Sequence, residues 1–191
     1  MSDTENTETQ ADETQPETSQ PETAQEAVEE KTMEALISER ISKIEQGHDI
    51  VKNYTLGAMA VSLIPMPLID AAAITAVQLK MVHGISEIYD VPFSKELVHS
   101  LIAALLGGSL SVTASIPVAI SLTKLIPAVG YFSGTICMVV FGGAATYAVG
   151  KVFIEHFESG GTFLDFDPEK VRTHFEKLYE EGKQFTANQM K

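Results

Sequence analysis

Apolar and polar side chains alternate with helical periodicity in residues 32–48. Charged side chains fill the positions between apolar ones that recur three or four residues apart. The apolar positions are Met33, Leu36, Ile37, Ile41 and Ile44. This spacing gathers them on one face and predicts an amphipathic helix that shields apolar neighbours.

A second amphipathic helix is predicted near the C-terminus. The tripeptide Asp167-Pro168-Glu169 is typical of a helix start, with aspartate as the N-cap and proline in the first turn. The residues that then share one face are Val171, Phe175 and Leu178. A glycine pair at 160 and 161 separates this helix from the preceding segment, and the sequence FLDFD predicts a short loop between them.

Two long uncharged runs lie between these helices. Residues 97–123 and 125–150 contain no Asp, Glu, Lys or Arg, and only Lys124 separates them. At about 1.5 Å per helical residue, either run exceeds the roughly 30 Å hydrocarbon core of a bilayer. Small residues repeat at four-residue spacing, which favours close helix packing in lipid. They are Gly107, Ser111 and Ser115; Gly130 and Gly134; and Gly142, Thr146 and Gly150. These runs predict a tight membrane-spanning hairpin.

The small number of amphipathic helices also favours a membrane location. A helix that is apolar on all sides must be buried on all sides, and the remaining helices offer too little surface to cover two of them. Lipid or an obligate protein partner has to supply the rest. The open side of the hairpin is flanked by Lys80, Lys95, Lys151 and Lys170. Since its turn has Lys124 alone, the positive-inside rule places both termini in the cytoplasm.

Residues 53–90 form a third apolar region. Residues 54–64 give about eleven helical positions before Pro65, which are too few to span a membrane. This segment is therefore expected to be re-entrant, interfacial or part of a core helix pair. A longer helix is predicted to begin at Leu68 and to end near Tyr89 and Asp90.

Asp70 is the only charged residue between Lys52 and Lys80. It falls in the first turn of the predicted helix, where free backbone N–H groups and the helix dipole stabilise a carboxylate. Alternatively, it lies at membrane depth, where an ionisable group is costly and usually functional. Gln78 and Met81 follow two and three turns along on roughly the same face. They would be its neighbours in a buried seam.

Composition changes sharply at residue 30. Residues 1–30 hold ten acidic residues and no basic ones, so this segment carries −10 of the chain's formal charge of −13 and leaves −3 for the rest. Such a segment buries too little apolar surface to offset its ordering entropy, and we expect it to be disordered. The acidic tail and the lack of a Lys/Arg-rich run argue against nucleic-acid binding. The tail also lacks the features of a secretory signal.

Motifs for catalysis are incomplete. Residues 145–152 resemble a phosphate-binding loop, but Ala145 replaces its first glycine and Val152 replaces the magnesium-binding hydroxyl. The five histidines lack metal-ligand spacing. His99 lies in an apolar run and is expected to be an interface histidine near a helix end, or alternatively a polar functional group. Cys137 is the only cysteine and is expected to be a small buried hydrophobe. The sequence therefore predicts a protein that is not an enzyme and binds no metal or cofactor.

The string LIPMPLIDAAAITAVQLKMVHGISEIYD, residues 63–90, resembles the signature of the bacterial family named domain of unknown function 697. The matching positions are Pro65, Pro67, Asp70, Gln78, Met81 and Tyr89. Later segments resemble its second half, with Pro127, Gly130, Tyr147, Gly150 and Phe157 as the matching positions. Asp90 departs from the glycine that usually follows the tyrosine, which puts the turn there in doubt. The resemblance implies helical, often membrane-associated proteins found beside or fused to P-loop GTPases, with no established activity.

These observations predict an all-α, membrane-associated helical bundle with an apolar helical hairpin and a disordered N-terminal tail. The predicted domains are an acidic tail (1–30), a membrane-embedded helical domain (31–158), and a C-terminal loop and helix (159–191). The expected function is a homo-oligomeric anchor or regulatory partner in the cytoplasmic membrane, in contact with lipid and with a GTPase that acts in trans. A soluble, cytoplasmic oligomeric regulatory domain is the alternative. A small channel or proton-coupled carrier that uses Asp70 and His99 is a third hypothesis.

Overall fold

The computed structural model describes the backbone of residues 22–63, 69–109 and 130–191, and the side chains of residues 31–63, 72–107 and 136–191. Within these ranges the secondary structure is entirely helical, which confirms the all-α fold class. The helices are α1 (Glu22–Val61), α2 (Ile69–Ile88), α3 (Lys95–Ser109), α4 (Gly130–Glu158) and α5 (Arg172–Gln189). Residues up to Glu39 and those from Arg40 onward form separate compact units.

Helix α1 is longer than the sequence pattern predicts. The segments predicted at 32–48 and 54–64 are parts of one helix that runs from Glu22 to Val61. The intervening residues, DIVKN, contain no proline or glycine, so nothing interrupts the backbone hydrogen bonds. The helix also begins inside the predicted tail, because ETAQEAVEEK is rich in the strong helix formers Glu, Ala and Gln. Residues 1–21 lie outside the described residues.

The apolar face predicted on the first part of α1 is exposed. The side chains of Met33, Leu36, Ile37 and Ile41 expose between 50 and 59 % of their surface. The prediction that this face shields apolar neighbours is therefore wrong at Ile41, which belongs to the unit from Arg40 onward. The buried apolar positions of α1 come later, at Val51, Ala58 and Met59.

Helix α4 lies at the centre of the bundle formed by Arg40 and the residues that follow. Its glycines allow α1 and α2 to approach closely, since a Cβ added at Gly150 would lie 2.5 Å from Val51 Cγ2 and 3.0 Å from Met81 Sδ. At Gly142, the atoms met at 2.6 and 3.0 Å are Ser62 Oγ and Ile74 Cδ1. Between Gly142 and Gly150, the contacted residue on α2 changes from Ile74 to Met81, which is forward in sequence. The contacted residue of the α1 segment changes from Ser62 to Val51, which is backward in sequence. Helix α4 therefore runs parallel to α2 and antiparallel to α1.

The stripe of Gly142, Thr146 and Gly150 thus packs against α1 and α2. The sequence predicted that it would pack within a hairpin of the two uncharged runs. Of the first run, the structure describes α3 to Ser109, and no described atom lies within 4 Å of a Cβ added at Gly107. The hairpin turn and residues 110–129 lie outside the described residues.

Helix α5 starts later than predicted. Asp167 Oδ1 accepts hydrogen bonds from the backbone N–H groups of Glu169 (3.0 Å) and Lys170 (3.4 Å), as an N-cap would. These residues form a turn, however, and the helix itself begins at Arg172. The predicted buried face is confirmed at Phe175 and Leu178. The FLDFD segment packs against the core, because the Phe166 ring stacks on the Phe153 ring with the two centroids 4.7 Å apart.

The prediction that Cys137 is buried is wrong, and His99 is an exposed residue near the start of α3. Cys137 is exposed, because it lies on the outer side of the apolar first half of α4, next to the buried Met138. His99 is also exposed, whereas Val98 and Ile102 of the same helix are buried. In both cases the whole segment is apolar, so sequence alone does not show which face is covered.

The turn after α2 resolves the doubt about Asp90. Its φ of 55° is the left-handed conformation that closes a helix, and Val91 N–H donates to Ser86 C=O at 2.9 Å. Glycine takes this conformation most easily, and Asp tolerates it better than most residues. The chain therefore keeps the glycine-type turn with an aspartate.

Candidate functional site: the seam between α2 and α4

The structure places some of the predicted site residues and not others. Pro65, Pro67 and Pro127 lie outside the described residues. Asp70 is the second residue of α2, in its first turn as predicted, but its side chain is not among those described. Gly130 is the first residue of α4. The remaining three, Gln78, Met81 and Tyr89, lie along the seam where α2 contacts α4.

Gln78 lies in the middle of this seam and is fully buried. Its Nε2 donates a long hydrogen bond of 3.4 Å to Thr146 Oγ1 on α4. Its Oε1 finds no hydrogen-bond partner among the described residues, and neither does Oγ1 of the buried Thr55. On α1, Thr55 lies between Val51 and Ser62, so the register places it at about the level of Thr146. Buried polar side chains of three helices therefore lie at about the same level of the core.

Met81 forms the next level of the seam. It has no exposed surface, and its Sδ lies against the position where Gly150 lacks a side chain. Methionine is unbranched and adapts to irregular gaps, whereas the absent Cβ of glycine is what creates the gap here. The two residues are therefore a matched pair of a large and a small partner.

Tyr89 closes the seam at the C-terminal end of α2. Its hydroxyl donates a 3.1 Å hydrogen bond to Glu158 Oε1, and its ring lies 6.0 Å from that of Phe157 between centroids. Burial, followed by the negative charge of Glu158, raises the pKa of Tyr89 well above its usual range. The hydroxyl is thus held as a neutral donor.

The seam brings together residues from both halves of the family-like signature. Gln78, Met81 and Tyr89 of the first half face Thr146, Gly150 and Phe157 of α4. Sequence reasoning gave no role to Glu158 or Thr55, because no motif marks either residue. Their positions in the seam depend on how three helices align, which no local sequence pattern encodes.

Charged residues surround the Tyr89 end of the bundle. A cavity of about 180 Å³ there is lined by Arg40, Lys43, Ile44, Tyr89, Phe157 and Glu158. Nearby, Lys151 Nζ lies 3.0 Å from His48 Nε2. Partial burial and then the positive charge of Lys151 lower the pKa of His48, so the pair contains a neutral imidazole at neutral pH. His174 bonds to Glu155 across α5 and α4.

The chemistry of the seam is that of packing and register. Gln78, Thr146 and Thr55 are neutral and cannot act as an acid–base pair. In the side chains that the structure describes, no group of three His, Cys, Asp or Glu residues is arranged to hold a metal ion. A buried polar contact between two helices can fix their register, because any slip leaves more polar groups unpaired.

These features define a class, a helical bundle built around one apolar helix. Among the described residues, the segment Ile136–Glu158 of α4 is long and apolar enough to cross a membrane, judged by length and composition alone. In its most apolar window, 67 % is buried inside the fold. The core helix of a soluble protein passes the same test, so this property alone does not place the helix in a bilayer.

The chain belongs to the family described as Domain of unknown function (DUF697), whose model matches residues 23–184. This confirms the resemblance drawn from residues 63–90. The chain is also similar to Magnetosome membrane protein 22 of Magnetospirillum gryphiswaldense, with 42 % identity over 139 residues. The match covers 73 % of this chain and 71 % of that protein. No solved structure matches the chain.

Proposed function

We propose that this protein is a non-enzymatic, membrane-associated helical protein that acts as an anchor or regulatory partner in the cytoplasmic membrane. The observation that carries the proposal is the apolar segment Ile136–Glu158, together with the uncharged sequence that precedes it from residue 125. The relative from Magnetospirillum gryphiswaldense is named as a membrane protein, which supports the same location. In this proposal both termini face the cytoplasm, which the lysine distribution supports.

Recruitment of a partner is the second part of the proposal. The acidic N-terminal segment and the exposed apolar face at Met33, Leu36 and Ile37 would present a binding surface to another protein. A P-loop GTPase that acts in trans is the partner implied by the family resemblance. Nucleotide would then bind to the partner, because residues 145–152 of this chain lie within helix α4 and lack the phosphate-binding sequence.

One observation favours the alternative of a soluble oligomeric domain. Two thirds of the most apolar window of α4 is covered by the chain's own helices, so this part needs no lipid to be buried. In that case a second copy of the chain would cover the remaining apolar surface. The two proposals make different predictions for extraction.

The test is fractionation of the expressed full chain, followed by alkaline carbonate extraction of the membrane pellet. Retention in the pellet and release by detergent support a membrane anchor. Release as a single soluble oligomer contradicts it and favours the alternative. A known integral protein and a known peripheral protein from the same cells are the controls for the extraction.

A further inference from the structure

An open apolar groove lies at one end of the bundle. It forms where α1 ends, where the described side chains of α4 begin, and where α5 ends. Its volume is about 330 Å³, and no charged side chain lines it. Its lining includes Leu56, Met59, Leu63, Ile136, Val139 and Met190. Four of these are large and exposed, with Leu63 at 58 %, Ile136 at 52 %, Met190 at 45 % and Leu56 at 36 %.

The opposite end of the same helices is charged. Arg40, Lys43 and Glu158 line the cavity there, and Lys151 and Glu155 lie within two turns of it along α4. Polarity therefore changes along the axis of α4, from an uncharged first half to a charged last two turns. Along α4, this is the polarity expected of a helix whose first half enters a bilayer while its charged end stays in water.

We propose that lipid acyl chains fill this groove, so that the bundle meets the bilayer at the ends of α1 and α5 while Lys151–Glu158 remains in water. This inference rests on the proposed membrane association. The sequence directly before Ile136 supports lipid as the occupant, because residues 125–135 are also uncharged. Acyl chains need no hydrogen bonds, and the lining offers no charge with which a protein partner could pair.

The chain carries its own probe for this surface. Cys137 is its single cysteine, is exposed, and directly follows Ile136. The full chain is labelled there with a polarity-sensitive fluorophore and reconstituted into vesicles of phosphatidylcholine and phosphatidylglycerol. A fraction of the phosphatidylcholine carries a nitroxide on its acyl chain. We expect a blue-shifted emission and loss of fluorescence by nitroxide quenching.

The control label lies at the charged end. In the double variant Cys137→Ser, Ser159→Cys, the fluorophore sits on an exposed residue next to Glu158. Its emission is expected to stay water-like and unquenched. A matched pair of substitutions tests the groove itself. Leu63→Asp should abolish the quenching at Cys137. Leu164→Asp should not change the quenching, because Leu164 lies in the loop before α5 and is 89 % exposed. Met190→Asp repeats the test from another helix. Circular dichroism checks that each variant is folded.

Three outcomes contradict the inference, and they can be told apart. If the protein pellets with vesicles but the label at Cys137 is unquenched and Leu63→Asp has no effect, lipid does not fill the groove and the membrane proposal survives. If the label is quenched instead by a second labelled copy, in proportion to protein concentration, the groove is a contact between copies. If the unmodified chain does not associate with vesicles or with cell membranes, the proposed function fails together with the inference.

Discussion

The replacement Gly150→Ala tests the close packing at the centre of the bundle. A Cβ at this position would lie 2.5 Å from Val51 Cγ2, and 3.0 and 3.1 Å from Met81 Sδ and Cε. The thioether can move, because it is the flexible end of an unbranched side chain. Val51 is β-branched and stiff, so α1 and α4 would have to separate.

The magnitude follows from two opposing effects. Alanine in place of glycine in a helix interior stabilises by about 0.5–1 kcal/mol. Overpacking a filled core costs about 1–3 kcal/mol, and the short distance to Val51 favours the upper part of that range. We therefore expect Gly150→Ala to lower the free energy of unfolding by about 1–2 kcal/mol.

The same substitution on α1 is the control. No described atom lies within 4 Å of a Cβ added at Gly57, so Gly57→Ala should stabilise the protein by about 0.5–1 kcal/mol. The assay is denaturant unfolding of the full chain, followed by far-ultraviolet circular dichroism under the conditions that keep it monodisperse. The double variant Val51→Ala, Gly150→Ala should be more stable than additivity predicts, because the smaller side chain removes the overlap.

The result that refutes this reasoning is equal stabilisation by Gly150→Ala and Gly57→Ala. The α1–α4 distance would then be larger than the structure shows. Additivity in the double variant would likewise exclude a direct contact between Val51 and residue 150.

Four further predictions use the same unfolding assay. Gln78→Leu and Thr146→Val should each cost about 1–3 kcal/mol, because each leaves the other partner of the buried hydrogen bond unpaired. The double variant removes both partners and the unpartnered Gln78 oxygen, so it should be nearly neutral; strong additive destabilisation in the double variant would contradict this. Asp90→Gly should stabilise the protein by about 0.5 kcal/mol and Asp90→Ala should destabilise it, because glycine adopts the left-handed conformation of residue 90 without strain. The opposite order of stabilities would contradict a left-handed conformation at this residue. Tyr89→Phe should cost about 0.5–1.5 kcal/mol, because it removes the hydrogen bond to Glu158. Since the pKa of Tyr89 is raised in the folded protein, the unfolded chain releases the phenol proton first, and stability should fall as the pH rises above the ordinary tyrosine pKa. Tyr89→Phe should weaken this loss of stability. Because the pKa of His48 is lowered in the folded protein, the unfolded chain takes up a proton first as the pH falls below about 6.5, and the free energy of unfolding should decline there. His48→Gln should reduce the slope of the free energy of unfolding against pH in this range. An unchanged slope would contradict the lowered pKa.

Much of the seam can be predicted from spacing, but its partners cannot. The residues Gln78 and Met81 share a face because 3.6 residues make a turn, and the structure buries both. Their contacts with Thr146 and Gly150 depend on how far α4 is shifted along α2, which no local pattern encodes. The same holds for Tyr89 and Glu158, which lie 69 residues apart in sequence.

By itself, the sequence determined the helical class, the turn chemistry at Asp167 and the buried positions of α5, because caps and periodicity act within a few residues of one another. It also showed that one region is uncharged over most of two helices. Only the tertiary structure decided which side of that region is covered, exposing Cys137 and His99 and turning the glycine stripe of α4 toward α1 and α2. The physical reason is that a helix apolar all round carries no periodic signal, so the shapes of the neighbouring helices choose its buried face.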